Sequence, residues 1–312
     1  MDKGCFSLFS LLYYILKLGQ NMYQEKIYHH PHSVEHHFTF AGNYGARGEK
    51  RAPKKTKSTE AVKRYNQILK ARKMMRLIED NFEQGDYWLT LKYKAGTHKP
   101  SSEVKEDIRK FIRKVREIYK PKFEMKFIYR IEIGKRGGIH FHMILNRGPN
   151  KTSDINRIWR EIAQGNIEFE YLYNKTDFGA LAAYIVKAPE EEAAKQLSFI
   201  PKDEQKQFMK YSTSRNLARP DPEVKKFSRH TMRKIFANDL KPAPGFAIDK
   251  DSIRKGFNVY TGMAYLYYRE VQLTKGAVGY PVKLCECPFC HQFTLDKFRC
   301  DCRERMRKRG RR

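Results

Sequence analysis

The chain has 312 residues, enough for one large domain or two modest ones. Its 63 Lys and Arg against 35 Asp and Glu give a formal charge of +28, which argues against an enzyme of neutral metabolites and for a polyanionic partner. Hydrophobic residues make up 40% of the chain, enough for a real core, and no helical stretch pairs a long apolar face with a basic one, so nucleic acid comes before a membrane surface as that partner.

The chain opens on an apolar run, Cys5–Leu18 (CFSLFSLLYYILKL), that is shorter than the roughly 20 residues of a spanning helix. Gly19, Gln20 and Asn21 make a poor signal-peptide cleavage site. Residues 1–21 therefore read as an extension ahead of a translation start at Met22, or as a short amphipathic addition, and the protein as cytoplasmic with no membrane partner. The tract from His29 to His37 is rich in His, interrupted by Pro31, and reads as solvated. Arg47 to Lys57 carries six basic residues and one acid among Gly and Pro, the pattern of a disordered arm that contacts phosphates.

Glu60 to Phe82 has helical spacing, with Val62, Tyr65, Leu69, Met75, Ile78 and Phe82 apolar. Tyr87 to Tyr93 alternates as a strand, Leu89 and Leu91 inward, Thr90 and Lys92 outward. Ser101 or Ser102 can cap a helix through Tyr119 that carries Val104, Ile108, Phe111, Ile112 and Val115 on one face, and Pro121 stops it.

The stretch Phe127–Leu145 (FIYRIEIGKRGGIHFHMIL) reads as a hairpin whose two alternating runs flank a Gly-rich loop. Folded symmetrically about Arg136, it pairs Ile133 with Ile139, Ile131 with Phe141, Tyr129 with Met143 and Phe127 with Leu145, an apolar face. On the opposite face Glu132 opposes His140, with His142 two residues along. Directly opposed residues have Cβ atoms about 4.5–5.5 Å apart, so three ligands for a divalent metal converge.

A helix capped by Thr152 or Ser153 follows, with Ile155, Ile158, Trp159 and Ile162 on one side, then a strand at Ile167–Tyr173. Asp177 to Lys187 is helical, with Phe178, Leu181, Ala182 and Ile185 as its buried stripe. Tyr184 lies off that stripe with Lys187 beside it. A phenol titrates near 10 and is a poor nucleophile when free. A neighbouring Lys and a nearby metal would stabilise the phenolate. Tyr171 and Tyr173 alternate with Glu168 and Glu170 and lack such a Lys. The order of strand, helix, hairpin, helix, strand, helix predicts an α+β sandwich: an antiparallel sheet with helices packed on one face and Glu132, His140 and His142 on the other.

Beyond Pro189 the segments 208–217 and 223–236 are basic and partly amphipathic, and 260–268 is rich in aromatics. This extension reads either as helices packing on the sheet or as a single-stranded DNA surface, where bases stack on rings. Five of the six Cys lie between Cys285 and Cys302, a spacing of metal ligation in a reducing compartment. Cys287, Cys290, Cys300 and Cys302 are the chosen structural Zn²⁺ ligands, with Cys285 or His291 as substitutes. The tail, residues 303–312, has seven basic residues and one acid.

Three of these pieces, in this order, resemble the HUH endonuclease superfamily, and within it the rolling-circle replication initiators of plasmids and small single-stranded DNA phages or viruses. They are the strand centred on Leu89-Thr90-Leu91, the His140-Phe141-His142 strand with Glu132 on the strand before it, and Tyr184-Ile185-Val186-Lys187. The likeness covers about a third of the chain, Asp86 to Pro189. It implies that Glu132, His140 and His142 hold Mg²⁺ or Mn²⁺ over a scissile phosphate. It further implies that Tyr184 attacks to leave a 5′-phosphotyrosine and a free 3′-OH, with Lys187 steadying phenolate or phosphate. Thr90, Lys92, Lys135 and Arg136 are then candidate contacts to single-stranded origin DNA. No P-loop of the G-x-x-x-x-G-K-[ST] type occurs in the sequence, so duplex opening would fall to a host helicase and synthesis to a host polymerase. A single-tyrosine transposase, a relaxase and a non-catalytic DNA-binding protein are the alternatives.

The expected organisation is an N-terminal extension and basic arm, largely disordered, over 1–58, an endonuclease domain over 59–190, a basic aromatic extension over 191–280, helical in character, and a Cys-rich segment with basic tail over 281–312.

Overall fold

The computed structural model describes residues 22–42, 59–97, 99–134, 138–173, 178–187, 211–258 and 261–273, together with two short strands near the C-terminus. Its strands are β1 Tyr23–His29, β2 Ser33–Phe40, β3 Tyr87–Lys92, β4 Phe127–Ile133, β5 Ile139–Leu145, β6 Asn166–Tyr171, β7 Tyr211–Thr213, β8 Glu223–Phe227, β9 Phe246–Phe257, β10 Ala264–Gln272, β11 Cys285–Glu286 and β12 Phe293–Thr294. The helices are α1 Glu60–Glu79, α2 Ser101–Tyr119, α3 Thr152–Ala163, α4 Gly179–Val186 and α5 Arg229–Ala237. The chain divides into a central unit, Lys54–Arg219, and a terminal unit made of Met1–Pro53 and Pro220–Arg312.

The central unit is built on an antiparallel sheet in the order β6-β3-β5-β4-β7. The β4–β5 hairpin has the register that its apolar alternation dictates: Phe127 pairs with Leu145, Ile131 with Phe141 and Glu132 with His140. A one-residue slip would turn Ile131 and Phe141 outward, so burial of one face fixes the register of the other. That buried face carries Leu89, Leu91, Ile131, Phe141 and Met143 against Val104, Ile108, Phe111 and Val115 of α2 and Ile155 and Trp159 of α3. The four α2 residues recur at helical spacing, which places them on one stripe. The first helical residues of α2 and α3 are Ser101 and Thr152 themselves, with Pro100 and Lys151 at the cap positions and no side-chain cap bond.

The α+β sandwich is thus present, and the opposite face is open over only part of its length. At one end Trp88, Ile128 and Ile144 sit under α1 (Met74, Met75, Ile78) and α4 (Ala182, Ile185). Moving along the strands, the same face next presents Thr90, Arg130 and His142, and then Lys92, Glu132 and His140. Apolar side chains at 128 and 144 draw the two helices in, and polar ones beyond them end that layer. Glycine is required at 165, where a Cβ would stand 1.8 Å from the Lys92 carbonyl oxygen.

The terminal unit corrects two expectations. Residues 23–40, placed within a largely disordered 1–58, form β1 and β2, the inner part of a five-stranded antiparallel sheet ordered β8-β1-β2-β10-β9. Tyr23, Ile27 and Phe38 are buried, and the His tract has carboxylate partners: His36 meets Glu25 at 2.7 Å and His37 meets Glu35 at 3.1 Å. Pairing with strands almost two hundred residues downstream supplies the order that the local pattern lacks. The extension beyond residue 190 is mostly strand in its described residues, with α5 as the one helix among them. Tyr267 and Tyr268 are buried, and Tyr268 stacks on His36 with ring centroids 4.6 Å apart, so these two rings pack in the fold. The Zn²⁺ set Cys287, Cys290, Cys300 and Cys302 lies outside the described residues. No helix among the described residues is long and apolar enough to cross a membrane.

Candidate active site

Glu132 on β4 and His140 and His142 on β5 come together as the hairpin register requires, their ligand atoms all within 4.8 Å of one another. All three side chains are half-buried. The His142 imidazole lies 3.3 Å from the Glu132 carboxylate. That hydrogen bond, aided by the one from Tyr184, holds the Glu132 carboxyl at about 2 against the desolvation that opposes it. Burial, then the charge of His142, pushes the His140 imidazole below its ordinary value, which favours the neutral, metal-ligating form.

Helix α4 brings the fourth group. The Tyr184 hydroxyl donates to Glu132 Oε2 at 2.6 Å and lies 2.9 Å from His142 Nε2. On the far side of the ring, Thr90 Oγ1 is 3.3 Å from His142 Nδ1. One proton arrangement satisfies all three contacts: Thr90 O–H donates to Nδ1, Nε2–H donates to the Tyr184 oxygen, and Tyr184 O–H donates to Glu132. Trp88 stacks on the His142 ring at 5.3 Å and 8° and meets Tyr184 edge-on at 6.0 Å, fixing the orientation of both. A donor set of two imidazoles and one carboxylate, with a phenol at hydrogen-bond distance, can hold a divalent cation and present a hydroxyl beside it.

Residues 86–189 match a family of replication-associated proteins, that of replication-associated protein ORF2. The match spans about a third of the chain and contains every group just described. It supports a role in DNA replication, with DNA as the partner. No curated protein and no solved structure matches the chain.

The remaining sequence-derived candidates distribute differently. Helix α4 ends at Val186, one residue earlier than its pattern suggested, so Lys187 is the residue that terminates it and its side chain is exposed. Thr90 faces the His142 imidazole. Lys92 forms an ion pair with Glu168. Lys135 and Arg136 lie outside the described residues. Tyr171 and Tyr173 are exposed, at 41% and 73%.

The residue missed from sequence is Arg130. It is 7% exposed, and its guanidinium donates to the carbonyls of Tyr184 at 2.7 Å, Ile185 at 3.3 Å and Lys187 at 3.0 Å. It also lies 5.9 Å from the centroid of the Tyr184 ring. It thereby caps the C-terminal carbonyls of α4, where a cation complements the helix dipole. The signal was present in the alternation: Arg130 shares the face of Glu132 and directly opposes His142.

Proposed function

We propose that this protein initiates rolling-circle DNA replication as an HUH-type endonuclease that nicks single-stranded origin DNA with Tyr184 and later rejoins it. The observation that carries the reading is the Tyr184 hydroxyl on the Glu132–His140–His142 ligand set, inside the segment that matches a replication-associated family. The ligand set suits Mn²⁺ or Mg²⁺, and its two imidazoles favour Mn²⁺. Such an ion would neutralise charge on the scissile phosphate and polarise it. His140 and Glu132 would bind through their half-buried nitrogen and carboxylate oxygen. His142 would give up its Nε2 proton and turn Nδ1–H towards Thr90.

Tyr184 attacks phosphorus as the bond to the 3′ oxygen breaks. The phenolic proton leaves along a contact already made, to Glu132 or His142, and the departing oxygen takes a proton to become the 3′-OH that primes a polymerase. The phosphodiester energy is kept in the 5′-phosphotyrosine, so rejoining by the reverse attack needs no nucleotide cofactor. Arg130 anchors the helix that carries the nucleophile, and the exposed Lys187 is placed to meet phosphate.

The test is adduct formation. Incubated with Mn²⁺ and single-stranded DNA containing its origin, the protein should become attached to the 5′ end of the cleaved strand, seen as a mass shift under denaturing conditions. Tyr184→Phe removes only the hydroxyl and should abolish the adduct while DNA binding survives. Wild-type adduct levels in that variant would move the nucleophile elsewhere. Cleavage without any adduct would favour attack by water.

A further inference from the structure

A cleft of about 450 Å³ opens beside the Tyr184 hydroxyl and the His142 ring. Its size is that of a small-molecule site. Trp88, Leu181 and the buried Phe178 contribute apolar surface, and Tyr173, 73% exposed, adds an aromatic ring. No Lys or Arg lines it, and Glu170 is its one carboxylate. In a chain of formal charge +28 this is the wrong sign for a backbone phosphate. Aromatic and aliphatic surface instead suits the flat face of an unstacked base.

Glu170 stands out against its neighbour. Glu168 and Glu170 project from the same face of β6, towards Thr90 and Trp88 respectively. Glu168 is paired with Lys92, whereas Glu170 forms no ion pair among the described residues. A carboxylate accepts hydrogen bonds only. The amino groups of cytosine and adenine, and the adjacent ring and amino N–H groups of guanine, all offer donors to it. Thymine offers one N–H between two carbonyls that the carboxylate repels.

We propose that this cleft holds an unpaired base of the strand next to the cut, and that Glu170 selects an amino-bearing base over thymine at that position. The inference rests on the nicking reading given above, because shared use of Tyr184 and His142 is what places the base beside the reacting phosphate.

The experiment uses the full chain, Mn²⁺ and a pool of single-stranded DNA randomised over its centre, with both fragments of each covalent adduct sequenced. Thymine should be depleted about tenfold at one position adjoining the cut, the scale of one good base contact. Glu170→Gln, whose amide both donates and accepts, should bring that depletion below about twofold, and Glu170→Ala should do the same. Having both variants means that one failing to fold does not decide the result. Adducts with no depletion of thymine at any adjoining position, or depletion that persists in both variants, would overturn the base pocket and leave nicking intact. No adduct with any sequence would overturn the nicking reading and the pocket with it.

Discussion

The buried guanidinium of Arg130 donates to the backbone carbonyl of Tyr184 at 2.7 Å, tying the strand of Glu132 to the helix that carries the phenol. Two elements with no local reason to meet are thereby held at a fixed distance, and the Tyr184 hydroxyl comes to rest 2.6 Å from Glu132.

Arg130→Ala should therefore act twice. It leaves up to three carbonyls at the end of α4 without their donor, a loss on the order of 1–3 kcal/mol for each one left buried and unsatisfied. Adduct formation should fall further than the stability loss explains, because Tyr184 loses its placement. Arg130→Lys, which keeps the charge without the planar fork, should be intermediate in both. Thermal denaturation and adduct rates measured side by side check this, and wild-type values for both quantities in Arg130→Ala would refute it.

Thr90 is assigned to orientation of His142. Thr90→Val keeps the shape and removes the hydroxyl 3.3 Å from Nδ1. Outer partners of metal-binding imidazoles are worth about 10–100-fold in affinity, so Mn²⁺ binding measured by calorimetry should weaken by roughly tenfold, while single-stranded DNA binding without metal stays the same. Unchanged Mn²⁺ affinity would remove Thr90 from the site.

The ionisation of Glu132 gives a test by pH. Its folded-state value of about 2 lies below the ordinary 4.5, chiefly through the hydrogen bond with His142. A depressed carboxyl contributes stability that is fully present above the unfolded value and is lost as the pH falls through the folded one. In the metal-free protein, NMR titration should find Glu132 ionised at pH 3. His142→Ala should raise its value more than Tyr184→Phe does. Titration near 4.5 in the folded wild type would contradict the network.

Gly165 is a structural position next to the functional edge of β3. Gly165→Ala would drive a methyl into the Lys92 carbonyl, which also accepts from Trp159 Nε1 at 2.8 Å. A contact of that kind with backbone forces β3 or the α3–β6 turn to shift, at a cost of about 1–3 kcal/mol or more. Chemical denaturation measures it, and a loss under about 0.5 kcal/mol would show that the turn yields freely.

Much of the candidate site was legible because it lies within one hairpin. Glu132, His140 and His142 are set by a period of two about Arg136, and a period needs no tertiary information. Tyr184 was legible as a hydroxyl off the apolar stripe of its helix. Arg130 was passed over because an Arg on a strand usually faces solvent, and only the arrival of α4 turns it into a buried cap. Lys187 was read as a helical neighbour of Tyr184, since the spacing does not reveal that the helix stops at Val186, where Gln67 also binds the last carbonyl at 2.6 Å.

The sequence by itself determined the central sheet, its register and the face on which the ligands lie, because each follows from alternation over fewer than twenty residues and from which side must be buried. Only the tertiary structure decided that α1 and α4 cover one end of that face and leave the other for chemistry. Likewise, it alone made strands of residues 23–40, whose partners β8 and β10 lie near the other end of the chain. A strand is stabilised by whatever pairs beside it, and a pairing between segments so far apart leaves no periodic trace in either one.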